Sequence, residues 1–199
     1  MARTVPKGLT VTAVLDAALA VLDAEGLDGL STRAIAARLD VSMQTVLWHV
    51  KDKRRLLELL IDRIIGEVSY DDLPDHWESR TREIMRRLRA TLLSHRDSAQ
   101  LMTGMPSIDP NVLRFENELI SALLDGLPRR EAVWTSWTLT YFVQGLVGEE
   151  QRRADGSLQI ASTEEHPALH EVSEEIATTA FPERFEFGLD VILRHSPRS

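Results

Sequence analysis

Six cations crowd one short stretch of this 199-residue chain. Arg33, Arg38, Lys51, Lys53, Arg54 and Arg55 stand in and beside LSTRAIAARLDVSMQTVLWHVKDK, residues 30 to 53. Guanidinium and ammonium groups gathered like this suit the phosphate oxygens of a nucleic acid. Other groupings offer weaker chemistry. His166 and His170, four apart with Glu171 and Glu174 close by, have the residue types of a metal site on a helix face. Pro167 blurs the helical register between them, and a solvated acidic face is the better account. Glu149 and Glu150 invite an acid and base reading, yet no nucleophile or glycine-rich phosphate cradle accompanies them, so no enzyme is expected. The absence of cysteine removes disulfides, thiolate metal sites and cysteine nucleophiles. No cofactor is expected.

The basic residues need a rigid support, and the same stretch supplies one. Ile35 and Leu39 stand four apart with Ala36 beside them, so one face of a first short helix can bury while Arg33, Ala37 and Arg38 stay outside. A turn follows at Leu39-Asp40-Val41, where Asp40 tolerates a left-handed backbone. Ser42 is placed to cap a second helix from Met43 to Val50. Ala36 and Val46, ten apart, give the small residue and the branched apolar residue that let two helices lock at a fixed angle. Such a pair inside an ordinary core would not carry a basic rim. The unit reads as a helix-turn-helix that enters double-stranded DNA.

The net charge of −8 opposes that reading only until its distribution is examined. Residues 1 to 66 hold 9 Lys and Arg against 8 Asp and Glu, a balance of +1, whereas residues 67 to 199 hold 14 against 23, a balance of −9. Only the first part can approach DNA without strong repulsion. No apolar run approaches the roughly 20 residues that span a bilayer, and no secretory signal opens the chain, so a cytoplasmic protein without a membrane partner is expected.

The rest of the sequence is helical throughout. Thr10 to Glu25 is amphipathic, with Gly26 placed to end it, and completes a three-helix unit. Asp52 caps a fourth helix carrying Leu56, Leu57, Leu60, Ile61, Ile64 and Ile65, a natural lever between two domains. After a polar break at Ser69 to Asp75, a fifth helix runs to about His95. Its Arg80, Arg82, Arg86, Arg87 and Arg89 stand near Glu78 and Glu83 and predict a salt-bridged outer face. A short helical piece from Asp97 to Thr103 comes next. Asp109 is then an N-cap with Pro110 at the first helical position of a helix closed by Gly126. Arg129 to Arg153 is apolar on nearly every side, so one face should meet the chain's own core. Another, with Gly145 and Gly148 allowing close approach, should meet a second copy. Helices over Ala168 to Thr179 and Pro182 to His195 complete the chain. The expected fold is all-α, with residues 1–52 a helix-turn-helix DNA-binding domain, 53–68 a connecting helix, and 69–199 a helical ligand-binding and dimerisation domain.

With these residues set out, the chain resembles the tetracycline-repressor (TetR) family of bacterial transcription regulators. The resemblance is most specific in TRAIAARLDVSMQTVLWHVKDKRRLL and runs on through LLSHRDSAQLMTG, FENELISALL and FVQGLVGEEQ. It implies that Arg33 meets a base edge, and that Thr32, Thr45, Trp48, His49 and Lys53 contact the sugar-phosphate backbone beside the capping Ser42. Met43 and Gln44 occupy base-facing positions where the tetracycline repressors have Gln and Pro, and Leu47 replaces a phosphate-bonding Tyr. A different operator is therefore implied. The tetracycline repressors hold a magnesium–drug chelate with a His where this chain has Met102 and bond the drug with an Asn at the position of Ile84. A thioether is a poor ligand for a hard cation, so no metal is expected even though Glu149 matches a residue that helps hold the metal's water shell. The pocket is expected from Leu88, Met102, Met105, Phe115, Trp134, Trp137 and Tyr141, with Glu118, Thr138, Gln144 and Glu149 as polar groups, taking a small, largely apolar effector. These features imply a homodimeric repressor released from a palindromic operator by its ligand. A regulator governed by a protein partner, with a filled regulatory domain, is the alternative.

Overall fold

A computed structural model describes residues 9–103, 108–153 and 166–194. Among these residues every element is a helix. The order is α1 (Val11–Gly29), α2 (Thr32–Leu39), α3 (Met43–Val50), α4 (Lys53–Ile65), α5 (Trp77–Leu93), α6 (Ser98–Met102), α7 (Pro110–Leu124), α8 (Arg129–Arg152), α9 (Pro167–Glu171), α10 (Ser173–Thr178) and α11 (Phe181–Arg194).

Helices α1 to α3 close around Val14, Ala18, Leu22, Ile35, Val46 and Val50, all fully buried. Local chemistry sets their limits. Thr10, Ser31, Ser42 and Asp52 each accept a bond from the backbone amide three residues on, at 2.7 to 3.1 Å, and so fix where α1 to α4 begin. Asp40 has φ 55° and ψ 41°, the left-handed conformation that the turn demands. Gly26, at φ +76°, kinks α1, and a Cβ there would stand 2.7 Å from a carboxylate oxygen of Asp97.

Helix α4 leaves this unit and carries the same buried cluster on into the later helices. Leu60, Ile64, Ile84, Met85, Leu88, Leu92, Phe115, Leu119, Leu139 and Val143 are buried there, drawn from α4, α5, α7 and α8. Helix α11 closes the layer against α5 and α8. Its Phe185 ring stacks on Phe142 at 6.2 Å, and its Gly188 lets that ring approach so closely that a Cβ would clash with it. The arginines of α5 are paired as their acidic neighbours foretold, Arg82 with Glu78 and Arg87 with Glu83. They also reach across to other helices: Arg80 to Asp125, Arg82 to Asp190, Arg86 to Glu186 and Arg89 to Glu150.

Two expectations need correction. The helix foreseen over Ala168 to Thr179 is broken at Val172 (φ −110°, ψ 18°) into α9 and α10. No residue of either piece is buried, so no packing enforces one continuous ladder. Asp109 does precede α7, but its side chain makes no capping bond. It pairs instead with both terminal nitrogens of Arg55 on α4, each at 2.6 Å. The capping is done by Asp62 of α4, whose carboxylate accepts from the amides of Asn111 and Val112 and from the Asn111 side chain at 2.8 to 3.1 Å. His195 lies outside the described residues, and α11 ends at Arg194.

Candidate DNA-reading surface and regulatory core

The recognition helix α3 has the two sides its sequence requires. Val46 and Val50 are buried, while Met43, Gln44 and Trp48 are exposed, Trp48 at 79%. An indole this bare is unusual on a surface that packs against nothing. Its edge meets the half-buried His49 ring at 4.7 Å and 87°, which braces one ring with the other. Arg33 and Lys53 are exposed at the starts of α2 and α4, on either side of α3 in sequence; Thr32 beside Arg33, and Thr45 and Leu47 on α3, are half-buried. Ser42 and Thr45 are hydroxyl to hydroxyl at 2.8 Å, and Ser42 also accepts from the Thr45 amide, so the first turn of α3 is held by its own side chains. Lys51 ends α3 in a tight reversal (φ 66°, ψ −62°) closed by a bond from the Asp52 amide to the Val50 carbonyl. This γ-turn is a strained conformation for a lysine. It fixes the angle at which α4 departs from the recognition helix.

The residues expected to line a pocket fall into separate groups. Leu88 and Phe115 are buried in the regulatory core, and Met102, Glu118 and Gln144 are half-buried at its edge. Trp134, Trp137 and Tyr141 do not join Leu88 and Phe115 in that core. They are exposed at 50%, 50% and 67% along the outer side of α8, because Ala132, Ser136, Leu139, Thr140 and Val143 take the inner side. Thr138 is also exposed, and its hydroxyl is spent on the Trp134 carbonyl at 2.8 Å. Met105 lies outside the described residues. Ile84 is fully buried.

Glu149 is committed elsewhere. Both its oxygens accept from Arg184 of α11, at 3.0 and 2.7 Å, and Arg153 adds a third contact at 2.9 Å. These bonds hold its carboxyl below the usual carboxylate range against the opposing effect of burial. Among the described residues no group of three or more His, Cys, Asp or Glu side chains is gathered as metal ligands would be.

Along its outer side α8 presents Trp134, Trp137, Tyr141 and Gly145, and α11 presents Phe187 and Val191 beside it. An apolar groove between the two is lined by Phe142, Leu146, Phe187, Val191 and Ile192. A Cβ at Gly145 would meet nothing, so that glycine faces open space. Gly148 is turned inward, toward Ala99 of α6, and not toward the outer face.

Sequence reading missed the side chains that tie the two units together. Asp62 carried one signal, as a carboxylate within the apolar run of α4, where only a paired charge is stable. Gln151 and His95 carried none.

The comparisons agree with this architecture. Residues 14–60 match the family model described as bacterial regulatory proteins, tetR family, and residues 71–194 match that of the tetracyclin repressor-like C-terminal domain. The chain belongs to the TetR family of transcriptional regulators. It is 31% identical to the tetracycline repressor protein class G of Vibrio anguillarum, over 90% of both chains. Among solved structures it is similar to ActR of Streptomyces coelicolor in complex with actinorhodin, with TM-score 0.84, 28% identity, and coverage of 94% of this chain and 96% of that one. It is also similar to a TetR variant from Acinetobacter baumannii AYE in complex with minocycline, with TM-score 0.73, 29% identity, and coverage of 94% and 96%.

Proposed function

We propose that the protein is a homodimeric repressor that leaves a palindromic operator when a small, largely apolar molecule binds its regulatory helices. The observation that carries this reading is the bare, basic side of the α2–α3 unit. Arg33, Met43, Gln44 and Trp48 are exposed there on a rigid support, beside Lys53 at the head of α4. In this reading Arg33, Met43 and Gln44 face base edges, with Leu47 alongside them. Thr32, Ser42, Thr45, Trp48, His49 and Lys53 set the register on the backbone. The outer faces of α8 and α11 meet their copies in a four-helix interface, which places two recognition helices in successive major grooves. Relatives crystallised with actinorhodin and minocycline support a small-molecule effector. The buried Ile84 and the committed Glu149 weigh against magnesium-tetracycline as that molecule. Leu88, Phe115 and Met102 are the walls it would meet.

The test is selection of bound duplexes from genomic DNA, followed by a gel shift at fixed salt with the Arg33→Ala variant. Loss of discrimination between the selected and a scrambled duplex, with the dimer intact by sedimentation, is the expected result. Undiminished discrimination overturns the base-reading assignment. A regulatory core that takes up no small molecule in native mass spectrometry from cell extract would favour control by a protein partner instead.

A further inference from the structure

The end of α1 and the turn between α5 and α6 form a joint between the DNA-reading helices and the regulatory helices, and His95 sits at its centre. The residue is 9% exposed. Its Nδ1 lies 3.2 Å from both carboxylate oxygens of Asp23 on α1, and its Nε2 lies 2.9 Å from the carboxylate of Glu67, just past the end of α4. A neutral imidazole carries a single N–H. It can donate to one of these carboxylates only, and must then turn a lone pair on the other. Both contacts are favourable together only for the imidazolium, which donates from both nitrogens.

The surroundings make the joint a unit. The Arg96 amide donates to Asp23 and its guanidinium to the Ala24 carbonyl, while the Leu27 amide donates to Asp97 at 2.8 Å. The charged groups around the ring are Asp23 and, through Arg63, Asp16 from α1, then Arg63 and Glu67 from α4 and its end, and Arg96 and Asp97 from its own turn. From α8 the facing group is a neutral amide: Gln151 Nε2 donates to the His95 and Leu92 carbonyls and to the Ser98 hydroxyl, and its oxygen accepts from the Ala99 amide. The turn is thus fastened to the regulatory core independently of the proton. Of its bonds to α1 and the end of α4, those of the His95 ring to Asp23 and Glu67 are the ones that depend on it.

We propose that His95 is a proton-operated latch between the DNA-reading helices and the regulatory helices. Charged, it binds Asp23 and Glu67 at once and restrains α1 against the α5–α6 turn. When it loses its proton it must release one carboxylate, and the DNA-reading unit gains freedom. The restraint is therefore strongest while both ring nitrogens carry a proton.

Amide hydrogen exchange on the full-length protein tests this without DNA or effector. The reporters are the Leu27 and Arg96 amides, which bond across the joint, with rates corrected for intrinsic base catalysis. Between about pH 5 and pH 8, the span in which histidines change charge, their protection should fall about tenfold, the size expected for loss of one charge-assisted bond. Amides inside α7 should not change. In His95→Gln the pH dependence should vanish. In Glu67→Gln the neutral ring can donate to Asp23 while accepting from the new amide, so protection should persist at pH 8. The nitrogen chemical shifts of the His95 ring give a direct second reading. The proposal is overturned if wild-type protection is flat with pH, if His95→Gln shows the same fall, if Glu67→Gln falls as wild type does, or if the ring carries one proton throughout.

Discussion

Asp62, in the last turn of α4, caps α7 through the amide of Asn111, 49 residues further along the chain, at 2.8 Å. The lever helix thus carries the carboxylate that would ordinarily precede α7, and the residue that does precede it, Asp109, reaches back to Arg55 on the same lever. The start of α7 and the flank of α4 are crossed twice.

Removing the Asp62 carboxylate strands the first amides of α7 in a region with little water. Asp62→Ala should lower stability by about 2 kcal/mol, and Asp62→Asn by less, since an amide oxygen still accepts. Urea denaturation followed by far-ultraviolet circular dichroism measures both, and equal losses would show that the carboxylate is not the cap.

Acid should loosen α11 before it unfolds the core. Bonds from Arg184, Arg86 and Arg82 hold the carboxyls of Glu149, Glu186 and Asp190 below their ordinary range. A carboxylate with a lowered folded pKa stabilises the fold above its unfolded pKa, and that contribution is lost as pH falls through the folded value. The Glu149–Arg184 pair, partly open to water, contributes about 1 kcal/mol. The urea midpoints of wild type and Arg184→Gln should therefore differ at pH 7 and converge toward pH 3. A constant difference would deny the pair its role.

Gly188→Ala places a Cβ in collision with the Phe142 ring. Helix α11 must move or the ring must leave its stack on Phe185, at a cost of about 1 to 3 kcal/mol. Thermal unfolding should show the loss, and Phe142→Leu in the same chain should restore part of it. A loss unrelieved by the second change would place the strain elsewhere.

Lys53 offers charge without shape. Lys53→Ala should weaken binding to selected and scrambled duplexes alike and lower the salt dependence by about one counterion, as for a phosphate contact. A change confined to the selected duplex, seen by fluorescence anisotropy at several salt concentrations, would make Lys53 a base reader.

The DNA-reading unit was legible because its signals are short-range. Ser42 caps within three residues, Asp40 supplies its own left-handed turn, and Ala36 and Val46, ten apart, are both buried. The regulatory half was legible as helices but not as faces. In α8 apolar residues surround the axis, so nothing local says that Leu139 turns inward and Tyr141 outward. Trp134, Trp137 and Tyr141 are exposed and Leu88 and Phe115 buried for that reason, a difference that residue type alone does not carry. Asp62, Glu149 and His95 have partners 28 to 72 residues distant, and residue type alone cannot name a partner at that range.

The hold of residues 94–97 on α1 also bears on how such a protein can be recombined. Asp23, Ala24 and Leu27 belong to the first unit by sequence, yet each bonds a turn some 70 residues later. A chimera cut between α3 and α4 would carry Asp23 away from the His95 and Arg96 it fits. The exchangeable module is therefore discontinuous: a new reading head has to arrive with its own version of the turn, or with Asp23, Gly26 and Leu27 kept in place.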